Sequence, residues 1–290
     1  MEENEKKINN GIDMRWYVGI VLYNPDVQRL KQNVEALYAL IGWKRIILVD
    51  NASANKAEVK ALWGNHKDFV WIENTENMGI ATALNQIMRQ VELMGGGWCL
   101  TMDQDSVVGE GLVEEYRKFM VDRIGILTCR VKDRNFGWMY SSRCKEAEEI
   151  EFCITSGSFL SVEAWKSAGG FNEDLFIDGV DYDFCFRMRA AGYSVVRVHG
   201  AFLLHEVGYA KKVCLLGHEA LVLNHSPLRL YYIARNYLYI GFTYRVFWHW
   251  AFEVFKRFLL VVLYEEGRLE KMKYMYKGIC HACMGRLGKY

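Results

Sequence analysis

Apolar and polar positions fall in alternating blocks along the first third of the chain. Trp16-Tyr-Val-Gly-Ile-Val-Leu-Tyr23 is a nearly continuous apolar run, the pattern of a strand buried on both faces. Asn24-Pro25-Asp26 then supplies a turn and helix-start signal, and Val27 to Ile41 carries apolar residues at helical spacing. The same step recurs as a strand over Arg45 to Asp50 with a helix over Lys56 to Trp63. It recurs again as a strand over Phe69 to Glu73 with a helix over Ile80 to Leu93, and a further strand is predicted over Trp98 to Asp103. Repeated β-α steps imply an α/β fold with a mostly parallel sheet flanked by helices.

In such a sheet, ligands bind beyond the carboxyl ends of the strands. Those ends are Tyr23-Asn24, Asp50-Asn51, Asn77-Met78-Gly79 and Asp103-Gln104-Asp105, rich in carboxylate and amide groups. The first turn, Tyr23-Asn-Pro-Asp26, matches neither the GxGxxG of a dinucleotide fold nor the GxxxxGK[ST] of a P-loop. After Ser106 the pattern is mixed. Short strands are predicted over Ile124 to Cys129, Glu151 to Thr155 and Ser194 to Val198, and helices over Val162 to Ala168 and Gly179 to Ala191. From Leu228 the sequence reads as helical and aromatic: nine of the residues from Gly241 to Tyr264 are Phe, Trp or Tyr. Arg245, His249, Glu253, Lys256 and Arg257 interrupt that stretch, which argues against a membrane span.

Composition adds two constraints. In 290 residues, 51% hydrophobic and 24% charged, a sizeable core is expected, and a balance of +1 gives no electrostatic case for nucleic-acid binding. The charge is unevenly spread: from Pro227 onward 11 Lys and Arg face 4 Asp and Glu, or +7, against −6 for the preceding residues. Aromatics interleaved with these cations fit either an interfacial segment resting on anionic lipid or a helix pair packed on the preceding α/β domain or in a homodimer interface. The eight cysteines lack a disulfide-framework pattern, so reduced thiols are expected. Cys280 and Cys283 form a CxxC with no second pair at zinc spacing. Met1 to Asp13 has no apolar signal-peptide core, and a cytoplasmic protein is expected.

Two acidic groups stand out. Asp103 and Asp105 end an apolar strand, where paired hard oxygen donors suit Mg²⁺ or Mn²⁺ bound together with a diphosphate; a solvated turn or a helix cap near Gly109 is the plainer alternative. Asp178, Asp181 and Asp183 lie among Phe176, Ile177, Val180, Phe184 and Phe186, where burial raises a carboxylate toward a general base's range; one of them could instead cap a helix. His205 follows the apolar Ala201 to Leu204 and reads alone as a core histidine as readily as a ligand.

Eight segments in order carry a resemblance: Val21 to Pro25, Val49 to Ser53, Asn77 to Ala81 with Asn85, Asp103 to Ser106, Thr155 to Ser158, Phe176 to Arg187, Leu204 to Gly208 and Arg229 to Asn236. Together they resemble an inverting family 2 glycosyltransferase of the GT-A fold, most similar to its rhamnosyltransferase-like members. The resemblance implies a Rossmann-like sheet, a flexible segment over 1–13, and a catalytic domain over 14–226. Its nucleotide-sugar half covers about 14–106 and its acceptor half about 107–226, and a helical extension follows over 227–290. By the same resemblance Tyr23, Asn24 and Asp50 contact base and ribose, and Asn77 with Gly79 closes over the nucleotide sugar. Asp103 and Asp105 form the DxD site for Mg²⁺ or Mn²⁺, Asp103 and Gln104 also contact the nucleotide sugar, and His205 is a third metal-associated position. Asp181 is the base, although Val180 stands where many relatives have Glu. Ser156, Gly157, Asp178, Asp183 and Arg235 fall in the acceptor or diphosphate region.

The implied donor is dTDP-rhamnose, with UDP-sugars such as UDP-galactofuranose open, and the acceptor a saccharide or lipid-linked saccharide of cell-surface polysaccharide synthesis. The implied location is the cytoplasm, peripheral on the inner face of the plasma membrane. A sugar-phosphate nucleotidyltransferase would need a Gly-rich phosphate loop after the first strand, which this chain lacks; a non-catalytic carbohydrate-binding protein on the same fold is the alternative of another class.

Overall fold

The apolar run at the start of the chain becomes β1 (Trp16–Leu22), buried along its whole length. A computed structural model describes residues 15–63, 69–133, 137–139, 146–205, 211–215 and 218–290. The segment expected to be flexible, 1–13, lies outside this set. Next come α1 (Val27–Ile41), β2 (Ile46–Asp50), α2 (Lys56–Leu62), β3 (Val70–Glu73), α3 (Ile80–Leu93) and β4 (Trp98–Met102). These agree with the periodicity to within a residue or so at each end. Asp26 caps α1, its Oδ1 accepting from the N–H groups of Gln28 and Arg29, both at 3.0 Å.

β3, β2, β1 and β4 lie side by side in that order, all parallel. Alternate residues of β1 serve two cores. Trp16, Val18, Ile20 and Leu22 pack with Leu30, Val34 and Leu37 of α1, while Tyr17 and Val21 pack with Leu84, Ile87 and Val91 of α3. Gly19 lets α3 approach closely, because a Cβ there would lie 2.2 Å from Ile87 Cγ2.

The second half extends the same sheet. β5 (Val107–Val108), α4 (Leu112–Arg117), β6 (Ile124–Asp133), β7 (Gly137–Trp138), β8 (Ala147–Glu149), β9 (Ser158–Ser161), α5 (Val162–Ser167), α6 (Val180–Ala190) and β10 (Ser194–His205) follow in order. β9 runs antiparallel between β4 and β6, and β6 is parallel to β10. β11 (Lys211–Leu215) and β12 (His218–Val222) make a separate hairpin.

The strand expected over Glu151 to Thr155 is not one. Phe152 turns its ring onto Tyr182, Phe186 and Trp250 at 5.0 to 5.9 Å, which draws the segment off the sheet, and β9 takes the place beside β4. Cys99, Cys129, Cys153, Cys185, Cys280 and Cys283 are free thiols.

Three helices close the chain: α7 (Pro227–Thr243), α8 (Phe247–Tyr264) and α9 (Arg268–Cys283). α7 is the central one, packing on both others through Leu230, Ile233, Leu238, Val254, Val261 and Met275. Gly278 of α9 sits against the α7 backbone, where a Cβ would lie 2.4 Å from the Tyr231 carbonyl oxygen. Toward the sheet, Tyr182, Tyr237 and Trp250 form one aromatic cluster and Phe186 stacks on Tyr244 at 4.1 Å. Among the described residues no helix is long and apolar enough to cross a membrane.

Arg235 and Asn236 of α7 fix the loop before α6. Arg235 is fully buried, and its guanidinium donates to Asn236 Oδ1, Tyr231 Oη and the carbonyls of Asp174, Leu175 and Gly288. The Asn236 amide donates to the carbonyls of Leu175, Ile177 and Asp178 at 2.7 to 2.9 Å. The last residues bind the same region: the Gly288 N–H donates to the Asp174 carbonyl, Tyr290 N–H to the Tyr232 hydroxyl, and Lys289 pairs with Glu76 at 2.6 Å.

Two substitutions test this scaffold. Gly19→Ala forces a Cβ onto a β-branched side chain with no flexible end to yield, and should cost about 1–3 kcal/mol, read as a lower midpoint of thermal unfolding. Arg235→Lys keeps the charge but not the planar fork, leaves several buried carbonyls without donors, and should cost about 3 kcal/mol by the same measurement.

Candidate active site

β1 passes to β2 on one side while β4 joins it on the other, so the loops leaving the carboxyl ends of β1 and β4 diverge and open a crevice. Tyr23, 49% exposed, leaves β1 there, and Asp103-Gln104-Asp105 leaves β4. Gln104 pins the two strand ends: its Oε1 accepts from the Tyr23 N–H at 2.9 Å and its Nε2 donates to the Tyr23 carbonyl at 3.4 Å.

The loop after β2 forms one wall. Asn24 has a positive φ of 47° and is clamped to this loop twice: its N–H donates to Ser53 Oγ at 3.0 Å and its Oδ1 accepts from the Ala54 N–H at 2.7 Å. Asp50 is completely buried. Its Oδ2 accepts from the Ser53 N–H at 3.2 Å, while Oδ1 has no partner. A buried acceptor left open beside a crevice is costly unless a ligand donates to it.

Beyond it, Asn51 Oδ1 accepts from Asn74 Nδ2 and the Met78 N–H, and its Nδ2 donates to Asn77 Oδ1 and the Gly79 carbonyl. Asn77 Oδ1 also accepts from the Gly79 N–H. Gly79, at φ 84°, lies so close to Phe176 that a Cβ would be 2.6 Å from its carbonyl oxygen, and that carbonyl accepts from the Ile80 N–H at 2.7 Å. The loop after β3 is thus locked onto the loop before α6.

Asp103 is held through its backbone, the N–H donating to Ser156 Oγ at 3.0 Å and the carbonyl accepting from Asn33 Nδ2 at 2.7 Å. Ser156, buried, donates in turn to Ser106 Oγ at 3.2 Å. Gly157, at φ 73°, is fixed by its N–H to the Thr101 carbonyl at 2.8 Å and by the Tyr116 hydroxyl on its own carbonyl. β5 separates the acidic turn from α4, whose first turn has Gly111 before it, so the acidic turn caps no helix.

Asp181 occupies the first turn of α6. Gly179 precedes that helix and no side chain caps it, so neither Asp178 nor Asp181 serves as a cap. Burial pushes the Asp181 carboxyl up to about 7, the charges of Asp103 and then Asp178 add to this, and hydrogen bonds from Thr155 oppose it. Asp178, with a positive φ of 59°, receives the Arg229 guanidinium on both oxygens at 3.1 to 3.2 Å. Burial raises Asp178 above the ordinary carboxylate range and Arg229 restrains it. Burial disfavours the charge on Arg229, but Asp178 and, more weakly, Asp103 hold it protonated. Asp103, Asp178 and Asp181 therefore share one electrostatic site, with Arg229 at its border.

Other expected site residues lie elsewhere. Asp183 faces α7: its Oδ1 accepts from the Tyr244 hydroxyl at 2.8 Å, and Arg187 lies 4.0 Å from Oδ2. Every N–H of the Arg235 guanidinium is used inside the scaffold, so the arginine at the aspartate cluster is Arg229, in the same segment. The His205 backbone pairs with Asp133 at the end of β10; its side chain lies outside what is described. The sequence reading missed Asn33, Asn51 and Thr155 as organisers. A buried Asn on the apolar face of α1, between Leu30 and Val34, was the available signal for the first.

The donor set fits a hard divalent cation. Asp103 and Asp105 offer carboxylate oxygens, and repulsion among Asp103, Asp178 and Asp181 leaves negative potential that a cation would relieve. Among the described residues no group of three or more His, Cys, Asp or Glu gathers at metal-binding distance. Such a cation would need further ligands, as Mg²⁺ commonly takes from substrate phosphates and water.

Comparison with known proteins gives the family. Residues 17–190 match the family model described as glycosyl transferase family 2. Over 236 residues the chain is 24% identical to the dTDP-rhamnosyl transferase RfbF of Shigella flexneri, covering 76% of this chain and 77% of that protein. The fold is that of GT-A glycosyltransferases of known structure. TarS 1-349 of S. aureus in complex with UDP-GlcNAc has a TM-score of 0.60 at 13% identity, over 92% of this chain and 82% of that one. The mannosyltransferase PcManGT of Pyrobaculum calidifontis in complex with GDP-Man and Mn²⁺ has a TM-score of 0.55 at 13% identity, over 100% and 82%. GalNAc-T7 with UDP, GalNAc and Mn²⁺ has a TM-score of 0.56 at 15% identity over 79% of this chain, which spans only 47% of that protein, as it spans 40% of the longer TarS chain. With more than half of its length matched, the chain belongs to glycosyl transferase family 2.

Proposed function

We propose that this glycosyltransferase moves a hexosyl group from a nucleoside diphosphate sugar to a hydroxyl of a saccharide or lipid-linked saccharide, with inversion, in cell-surface polysaccharide synthesis. The observation that carries the reading is the electrostatic coupling of Asp181, pushed up to about 7, with Asp103 across the mouth of the sheet. It puts a base of suitable strength beside a candidate cation site. In this reading residues 14–226 are the catalytic unit, with its donor half before residue 107, and 227–290 the extension.

The residues divide the work. Asp50 Oδ1, buried without a partner, is suited to accept the ring N–H of thymine or uracil, and exposed Tyr23 to lie against the base. Asn24 holds the turn between these two, while Asn77 and Gly79 border the sugar-phosphate end. Asp103 and Asp105 would hold Mg²⁺ or Mn²⁺, with the side chain of His205 as a further candidate. When bound, the cation supplies positive charge to the departing diphosphate. Arg229 is the chain's own cation at that end and pairs with Asp178 at 3.1 Å. Asp181 takes the proton of the acceptor hydroxyl as its oxygen bonds to the anomeric carbon; the bond to the diphosphate breaks on the opposite face, and a single displacement inverts the centre. Ser156 and Gly157 shape the floor beneath.

For the donor we favour dTDP-rhamnose, which the likeness to RfbF supports. A UDP-sugar is the second reading, favoured by the ring N–H that uracil shares with thymine and by the UDP-GlcNAc held by TarS.

Thermal shift with dTDP, UDP and GDP, each with Mn²⁺ or Mg²⁺ and with EDTA, tests the donor site. Ligand at a hundred times its dissociation constant should add about 2.7 kcal/mol of stability. That gain should vanish with EDTA and in the Asp103→Ala, Asp105→Ala variant, and no shift with any nucleotide would support a non-catalytic binding protein. Asp181→Asn should lower transfer about 10²- to 10⁴-fold with nucleotide binding retained. Because the ionised carboxylate is the active form, kcat/KM of the wild type should rise with pH through about 7, and near-wild-type turnover by the variant would show the base to be another group.

A further inference from the structure

α8 turns a charge-free apolar face to solvent. Trp248, Phe252, Phe255 and Leu263 are 83%, 62%, 53% and 51% exposed, with the partly exposed Val262 among them, while Leu259 packs toward Leu260 and Val222 of β12. At 100° per residue the exposed positions fall on one side of the helix, opposite Val254 and Val261, which join the cluster around α7. The stripe runs along a helix about 27 Å long. Apolar faces of this extent on a soluble surface mark an interaction site.

The surrounding charge selects the partner. Arg245 is exposed at the turn before α8, Lys256 lies on its flank, and Arg268 and Lys273 stand exposed on α9. Of the four acids in this region, Glu253 is paired with Lys256 and Glu265 is buried against Lys271, while Glu266 and Glu270 are exposed on either side of Arg268 and leave the cations in excess. The whole extension carries +7. A second copy docked through this face would bring two such surfaces together, whereas an anionic surface would neutralise them. Trp and Phe side chains suit the boundary between headgroups and acyl chains, and no described helix is fit to pass through a bilayer.

We propose that the outer face of α8 lies on an anionic lipid bilayer, parallel to its surface, with Trp248, Phe252 and Phe255 entering the interface and the flanking cations meeting headgroups. α7 joins this face to the aspartate cluster through Arg229, so a lipid-linked acceptor would be presented from the same surface; that last consequence rests on the glycosyltransferase reading, while the docking does not.

The test uses the full chain and sedimentation with phosphatidylcholine vesicles, with or without phosphatidylglycerol. The wild type should sediment with the anionic vesicles, less at high salt, and poorly with phosphatidylcholine alone. Trp248→Ser with Phe255→Ser removes two exposed rings without touching the core, and should lower partitioning about tenfold with the unfolding midpoint unchanged. Equal partitioning of variant and wild type, or a wild type that stays in the supernatant with both vesicles, would overturn the proposal. So would a two-chain particle by light scattering that the same variant splits without any vesicle binding, which would assign the face to a second copy. None of these readouts involves transfer, so failure here is separable from failure of the enzymatic reading.

Discussion

Carboxylates gathered at the mouth of one sheet repel each other, and a chain that assembles Asp103, Asp178 and Asp181 has to hold them there by other means. Much of the architecture follows from that. Asp103 cannot swing away because Ser156 and Asn33 grip its backbone on both sides. Asp178 sits in a left-handed backbone conformation, held by the Asn236 amide and neutralised by Arg229. Asp181 is carried on the first turn of a helix with no side-chain cap to compete for it. Burial raises Asp181, the repulsion that remains raises it further, and a cation would relieve that repulsion.

The same constraint explains why the three C-terminal helices are tied to the sheet. The loop carrying Asp178 has little regular structure of its own, and α7 supplies the hydrogen bonds that a strand or helix would otherwise provide. Arg235 and Asn236 fix the carbonyls, Arg229 fixes the carboxylate, and the aromatic cluster of Tyr182, Tyr237 and Trp250 seals the joint. Among the two arrangements open from sequence, the inner side of the extension packs on the enzyme, which leaves the outer side of α8 to be accounted for.

What could be read from the sequence follows from what kind of signal each feature leaves. Buried strands such as Trp16–Leu22 and the Asp26-capped helix write their periodicity and capping locally, and both emerged almost residue for residue. Glu151 to Thr155 has the composition of a strand, yet Phe152 finds partners on α6 and α8 that no local pattern announces. The acidic clusters were visible as residue types at strand ends. Which of two arginines in Arg229 to Asn236 would face them was not, because it depends on the rotation of α7 against a loop some fifty residues earlier. Amide organisers such as Asn33 and Asn51 leave a weak trace, since a buried Asn declares only that it needs partners.

The strap formed by residues 288–290 bears on the order in which the molecule is built. Lys289 reaches Glu76, beside Asn77, across a sequence separation of 213, and Gly288 closes the Asp174 loop. Contacts so remote in sequence carry a large loop-closure entropy and form late. On the ribosome the parallel strands can pair as they emerge, but the loop after β3 gains these partners only once residue 289 has left the exit tunnel. A nascent chain thus presents the parallel strands before the loops at the mouth of the sheet are fixed.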